Sequence, residues 1–120
     1  MNRLSERIIG CSMAVSNALG AGFLERVYEN ALGHELRKAG LVVRQQHGVV
    51  VMYDGIAVGE YTVDLLVEGS VLVELKALRV LNEIHEAQCI NYLRATGLRL
   101  CLLLNFGKPR LAIKRLILGQ

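Results

Sequence analysis

The stretch Tyr61-Thr-Val-Asp64-Leu-Leu-Val67-Glu-Gly-Ser-Val71-Leu-Val-Glu74-Leu-Lys76-Ala77 reads as two short strands joined by a tight loop. Side chains alternate across a strand, so Glu74 and Lys76 share one face while Val71, Val73, Leu75 and Ala77 take the other. With Glu68, Gly69 and Ser70 as a three-residue loop, Val67 faces Val71 and Asp64 falls opposite Glu74. Directly opposed residues have Cβ atoms roughly 4.5–5.5 Å apart, and like charges placed there repel. An otherwise apolar hairpin that brings two carboxylates together needs a reason. A divalent cation between them, with a lysine two residues on, supplies one.

Upstream of this hairpin, Asp54-Gly55 is a strong two-residue turn signal between valine-rich strands over residues 41–53 and 56–67. An unbroken ladder from that turn would set Gln45 opposite Asp64, but Gly48 predicts a bulge that shifts the register. Further upstream the period is helical. Ser5 is placed to cap a first helix with Ile8, Cys11, Val15, Ala18 and Leu19 at helical spacing, and Gly20-Ala-Gly22 breaks it. A second helix is expected over residues 23–39, with Leu24, Tyr28, Ala31, Leu32, Leu36 and Ala39 inward and Gly40 just past its end. Downstream, Asn82 is the N-cap of a helix over residues 83–96, ended by Gly97. Residues 98–106 read as a buried strand, Gly107-Lys-Pro109 as a turn, and residues 110–118 as a last strand. The order is helix, helix, three strands, helix, two strands. It predicts one α/β domain over residues 1–120, a mixed sheet sandwiched by helices.

A chain of 120 residues, 52% hydrophobic, with a single proline, can bury a real core and is not of disordered composition. No apolar run approaches the roughly 20 residues of a membrane span, and Met-Asn-Arg-Leu-Ser-Glu6-Arg is not followed by a signal-type apolar region. Cys11, Cys89 and Cys101 are odd in number and widely spaced, as suits free thiols in the reducing cytoplasm. The net charge of +3 permits nucleic-acid binding without demanding it. Gly20-Ala-Gly22 lacks the third glycine and the preceding strand of a dinucleotide fingerprint. His85 and Cys89, four apart, do not make a zinc site, and His34 and His47 read as surface residues.

Four motifs in order resemble a known family. Gly22-Phe-Leu-Glu25-Arg-Val-Tyr28 reproduces the G-x-x-E-x-x-Y signature of the GxxExxY family. Asp64 followed by Glu74-Leu-Lys76 resembles the D…(D/E)-x-K core of the PD-(D/E)XK nuclease superfamily, to which that family is assigned. Gln88-Cys-Ile-Asn-Tyr92 resembles the Q-x-x-x-Y of the superfamily's exonuclease-type branch, and Leu102-Leu-Leu-Asn105-Phe-Gly107 with Lys114-Arg115 continues the likeness. Val63 stands where proline often precedes the first acid, and Val15-Ser16-Asn17-Ala18-Leu19-Gly20 lacks a histidine often found there in the family.

The resemblance implies a restriction-endonuclease-like core and metal-dependent hydrolysis of phosphodiester bonds in nucleic acid, DNA before RNA. Asp64, Glu74 and the Leu75 carbonyl are hard oxygen donors of the kind Mg²⁺ or Mn²⁺ takes. Lys76 would meet charge growing on a phosphate or help deprotonate the attacking water. Glu25 is implied as the helix-borne acid that supports the metal, Gln88 as the residue that orients Lys76 or a phosphate oxygen, and Tyr92 as its packing neighbour. Arg79, Arg94, Arg99, Lys108 and Arg110 are candidates for a phosphate track. Two rivals share these residues: a catalytically silent module that binds nucleic acid or protein, and a homo-oligomer pairing through its last strand.

Overall fold

The computed structural model describes residues 2–118. Its elements are α1 (Asn2–Leu19), α2 (Glu25–Lys38), β1 (Val43–Tyr53), β2 (Ile56–Val67), β3 (Val71–Lys76), α3 (Glu83–Thr96), β4 (Leu100–Asn105) and β5 (Ala112–Ile117), in the order the sequence predicts. Most boundaries are written in local chemistry. Asp54 and Gly55 both adopt positive φ, 56° and 79°, as a two-residue hairpin turn requires. The Asn82 side chain accepts from Ile84 N–H, and His85 Nδ1 accepts from Asn82 N–H, a reciprocal cap at the head of α3. Gly97 closes that helix in the left-handed conformation at φ 77°.

The sheet runs β1-β2-β3-β4-β5 and is mixed: β3 and β4 are parallel, and every other neighbouring pair is antiparallel. The parallel pair needs a crossover, which α3 provides. Helices α1 and α2 bury Ile8, Val15, Tyr28, Leu32 and Leu36 against one sheet face, where Leu65, Val73, Leu75 and Leu102 lie. Helix α3 buries Cys89, Tyr92 and Leu93 against the other, where Val63, Leu66, Leu72 and Leu103 lie. Among the described residues no helix is long and apolar enough to cross a membrane.

Leu24 and Ala39, expected inward on α2, instead cap its two ends and are exposed, and two further local expectations are corrected. Ser5 does not cap α1, which begins at Asn2; Ser5 is buried within the helix, three residues before Ile8 on the same inward row. That row continues through Ser12 and Ser16, so it carries more hydroxyls than an apolar pattern reveals. The second correction concerns β1 and β2. Their register does shift, but between Val51 and Met52, with Val58 as the extra residue, and not at Gly48.

Candidate active site

The displaced bulge decides which residue meets Asp64. Because Val58 is unpaired, the register beyond it runs Gln45↔Leu65 and His47↔Val63, which leaves Gln46 and not Gln45 across from Asp64. Both strands change face at that point. Val43 and Leu65 pack on the α1/α2 side, whereas Val49 and Val63 pack on the α3 side, against strict alternation. Gln46 absorbs the switch with φ of 54°. The carboxylates therefore lie where the sheet twists, within reach of both helical layers.

On the other side of β2, the register is Val67↔Val71, Leu66↔Leu72 and Leu65↔Val73, the pairing that the three-residue loop implies. Beyond Leu65 and Val73, side chains take over the ladder. Glu74 Oε1 accepts from Asp64 N–H at 3.2 Å, and Asp64 Oδ2 accepts from Leu75 N–H at 2.8 Å. Each carboxylate is thus fixed by the backbone of the opposite strand. Lys76 Nζ stands 3.8 Å from Glu74 Oε2, a loose ion pair with its side chain 19% exposed. Glu74 is 6% exposed. Burial first, and the Asp64 charge second, push its carboxyl up to about 7, against the smaller opposing effects of Asp64 N–H and Lys76.

Helix α2 supplies two acids. Glu25 begins the helix and is exposed, and its side chain makes no hydrogen bond or ion pair among the described residues; its charge nevertheless reaches Glu74 and raises that carboxyl slightly. Glu29, which the sequence reading did not single out, is 3% exposed and more tightly integrated. It accepts from Gln46 Nε2 at 2.8 Å and Gln45 Nε2 at 2.9 Å and pairs with Arg26 Nε at 3.2 Å. Gln46 Nε2 also lies 3.3 Å from Asp64 Oδ1, so Gln46 links the α2 carboxylate to the β2 carboxylate. A signal for Glu29 was present: it heads the row completed by Leu32, Gly33 and Leu36, all buried. Tyr28, fully buried, donates to Gly20 C=O at 2.6 Å, accepts from Phe23 N–H at 3.1 Å, and stacks on Phe106 at 4.8 Å. It pins the loop before Glu25, in which Gly20 and Gly22 take φ of 70° and 117°.

The exit of β3 is clamped by β4. Asn105, 1% exposed, accepts from Leu78 N–H at 2.9 Å and Gly107 N–H at 3.0 Å and donates to Leu78 C=O at 2.9 Å. A Cβ at Gly107 would overlap the Leu78 backbone. Together they fix the chain immediately after Lys76, a role in positioning that the sequence reading left unassigned.

Helix α3 brings Tyr92 against the site and Gln88 beside it. Tyr92 is buried, and burial, followed by the charge of Glu74, holds its phenol proton more tightly than usual. Gln88 is half-buried, its side chain makes no hydrogen bond among the described residues, and it lines a cleft with Tyr92. The arginines expected to form a track are divided. Arg94 lines that cleft, while Arg110 lies in a separate depression with Met13 and Ser16 of α1.

The donors suit a hard divalent cation. Asp64 and Glu74 each spend one oxygen on a backbone N–H and have a second oxygen besides. Leu75 N–H points to Asp64 while Lys76 C=O accepts from Phe106 N–H on the β4 side, so the Leu75 carbonyl leaves the strand toward Asp64. Among the described residues no three His, Cys, Asp or Glu side chains gather into a complete shell. For a hard divalent cation one or two carboxylates can suffice, with water and a substrate phosphate completing the shell.

Comparison with known proteins agrees with this architecture. The fold is similar to the crystal structure of an alkaline exonuclease from Laribacter hongkongensis, with a TM-score of 0.58 at 14% sequence identity. The likeness covers 78% of this chain and 56% of that one, so this chain spans little more than half of that protein. No curated protein matches significantly. The family description of the PD-(D/E)XK nuclease superfamily matches residues 2–116, nearly the whole length. With the acidic pair, the lysine and the mixed sheet in the arrangement described, the chain belongs to the PD-(D/E)XK nuclease superfamily.

Proposed function

We propose that this protein hydrolyses phosphodiester bonds in nucleic acid, DNA in the first instance, with Mg²⁺ or Mn²⁺, and that within the superfamily it is a GxxExxY-type member. The observation that carries the reading is the fixing of Glu74 on Asp64 N–H and of Asp64 on Leu75 N–H, each carboxylate on the backbone of the opposite strand, with Lys76 Nζ 3.8 Å from Glu74. Asp64, Glu74 and the Leu75 carbonyl would hold the ion, which would supply Lewis acidity and lower the pKa of the attacking water. Lys76, engaged only in a loose 3.8 Å ion pair with Glu74, donates to a non-bridging phosphate oxygen and meets the charge that accumulates there. Glu25, exposed at the head of α2, would support the metal, and the Gln46–Glu29 link holds Asp64 in place. Tyr28 and the Gly22 turn account for two of the three signature residues as the scaffold that presents Glu25.

The test is cleavage of end-labelled DNA and RNA oligonucleotides by highly purified protein. Activity is expected with Mg²⁺ or Mn²⁺, none in EDTA, and a loss of roughly a hundredfold or more in Glu74→Gln and Lys76→Ala, both still folded by circular dichroism. Cleavage that persists in EDTA, or that survives both substitutions, refutes the assignment.

A further inference from the structure

Beside the carboxylates, between α3 and the β1–β2 hairpin, lies a cleft of about 760 Å³. Its sheet wall carries Val49, Val51, Met52 and Tyr61, and its helix wall Ile84, Gln88, Asn91, Tyr92 and Arg94. Consecutive Val51 and Met52 both line it although neighbours on a strand normally face opposite ways; the register shift falls between them. Tyr61 is 51% exposed, and its ring centroid lies 6.0 Å from that of Tyr92, which is buried.

We propose that this cleft binds an unpaired nucleobase, so that the substrate is single-stranded nucleic acid or a single-stranded end. The inference rests on the nuclease reading above and names its substrate class. Three observations select this occupant over a purely apolar one. Tyr61 offers a half-exposed ring, and base–aromatic stacking is indifferent to sequence. Gln88, its side chain without a hydrogen bond among the described residues, presents an amide able to meet a base edge. Arg94 has no ion pair among the described residues; its guanidinium touches only Asn91 Oδ1, at 3.5 Å, and is available to a phosphate. Tyr92 lies between the cleft, which it lines, and the acidic pair, whose charges it feels. A duplex keeps its base faces stacked and its edges paired, so only an unpaired base presents both to such a site.

The experiment measures binding apart from cleavage. Fluorescence anisotropy is run with Glu74→Gln protein in Mg²⁺, and with wild type in EDTA, on single strands of DNA and RNA and on a blunt duplex of the same sequence. Single strands are expected to bind about tenfold more tightly than the duplex. Tyr61→Ala should weaken single-strand binding about tenfold, Tyr61→Phe should restore it, and duplex binding should not change, given how much one stacked base contributes. Arg94→Gln should lower the salt slope for single strands by about one. Equal affinity for both forms, or a Tyr61→Ala protein that binds single strands as wild type does, overturns the inference. If Tyr61→Ala also cleaves blunt duplex like wild type, the nuclease reading stands without this cleft. Tyr61-dependent binding by a protein that cleaves nothing supports the cleft and overturns the nuclease reading alone.

Discussion

Glu74 carries a carboxyl raised from 4.5 to about 7, chiefly by burial and then by Asp64. Between those values the folded protein holds a proton that the unfolded chain releases. The proton-linked contribution is therefore complete below about 4.5, is lost as pH rises toward 7, and stays lost above it. At about 1.4 kcal/mol per pH unit, that window carries roughly 3 kcal/mol. Glu74→Gln keeps an oxygen for Asp64 N–H and has nothing to titrate. In EDTA, urea unfolding should show the variant gaining on wild type between pH 5 and pH 8, by up to that amount; an equal difference at both pH values would contradict the linkage. Support residues should behave differently: Glu25→Gln and Gln88→Ala are expected to reduce turnover by about tenfold without abolishing it. If Glu25→Gln proves as inactive as Glu74→Gln, Glu25 is a direct ligand. The residues on the hairpin were legible because alternation and one three-residue loop place them. Gln46 was not, because its position depends on a bulge twelve residues away at Val58. Glu29 was hidden by its charge, since an apolar row headed by a carboxylate looks like a row that starts one turn later.

At the scale of elements, the strands and helices that end in strong local signals match expectation closely: β2 and α3 have their expected limits, and turn residues at positive φ mark the hairpins. What propensity does not encode is contact between elements far apart in sequence. The clamp of Asn105 and Gly107 on Leu78 joins β4 to the segment after β3 across 27 residues, and nothing local announces it. Its consequence is testable. Gly107→Ala sets a methyl against Leu78 backbone, which cannot rotate away, and should cost roughly 1–3 kcal/mol of stability. Asn105→Ala strips partners from Leu78 and Gly107 and should cost a similar roughly 1–3 kcal/mol. Both should also lower turnover by displacing Lys76, which precedes the clamped segment by two residues. Thermal melts and cleavage rates on the same preparations check this; a destabilised variant with wild-type turnover per folded molecule would show that the clamp serves the fold alone.

Across the whole molecule, the twist at Gln46 and Asp64 connects Glu29 of α2, through Gln46, to the acidic pair of the central hairpin, with Tyr92 of α3 beside that pair on an otherwise apolar sheet. The sequence conveyed the layers and their order, but not this connection, because alternation is a rule for straight strands. Gathering carboxylates without an equal positive charge makes the fold responsive to a cation. A ligand that binds only the native state stabilises it by about 2.7 kcal/mol at a hundred times its dissociation constant. Mg²⁺ or Mn²⁺ should therefore raise the melting temperature at pH 8. The rise should shrink as pH falls below about 7, where a proton on Glu74 competes for the same oxygens. Asp64→Asn keeps an oxygen to accept from Leu75 N–H while removing one of the two opposed charges. It should be at least as stable as wild type in EDTA and gain little from the metal. Equal metal-induced shifts in wild type and Asp64→Asn would place the ion elsewhere. The absence of any shift at millimolar metal in both would mean that the acidic pair, fixed as it is on opposing backbones, does not by itself hold a cation.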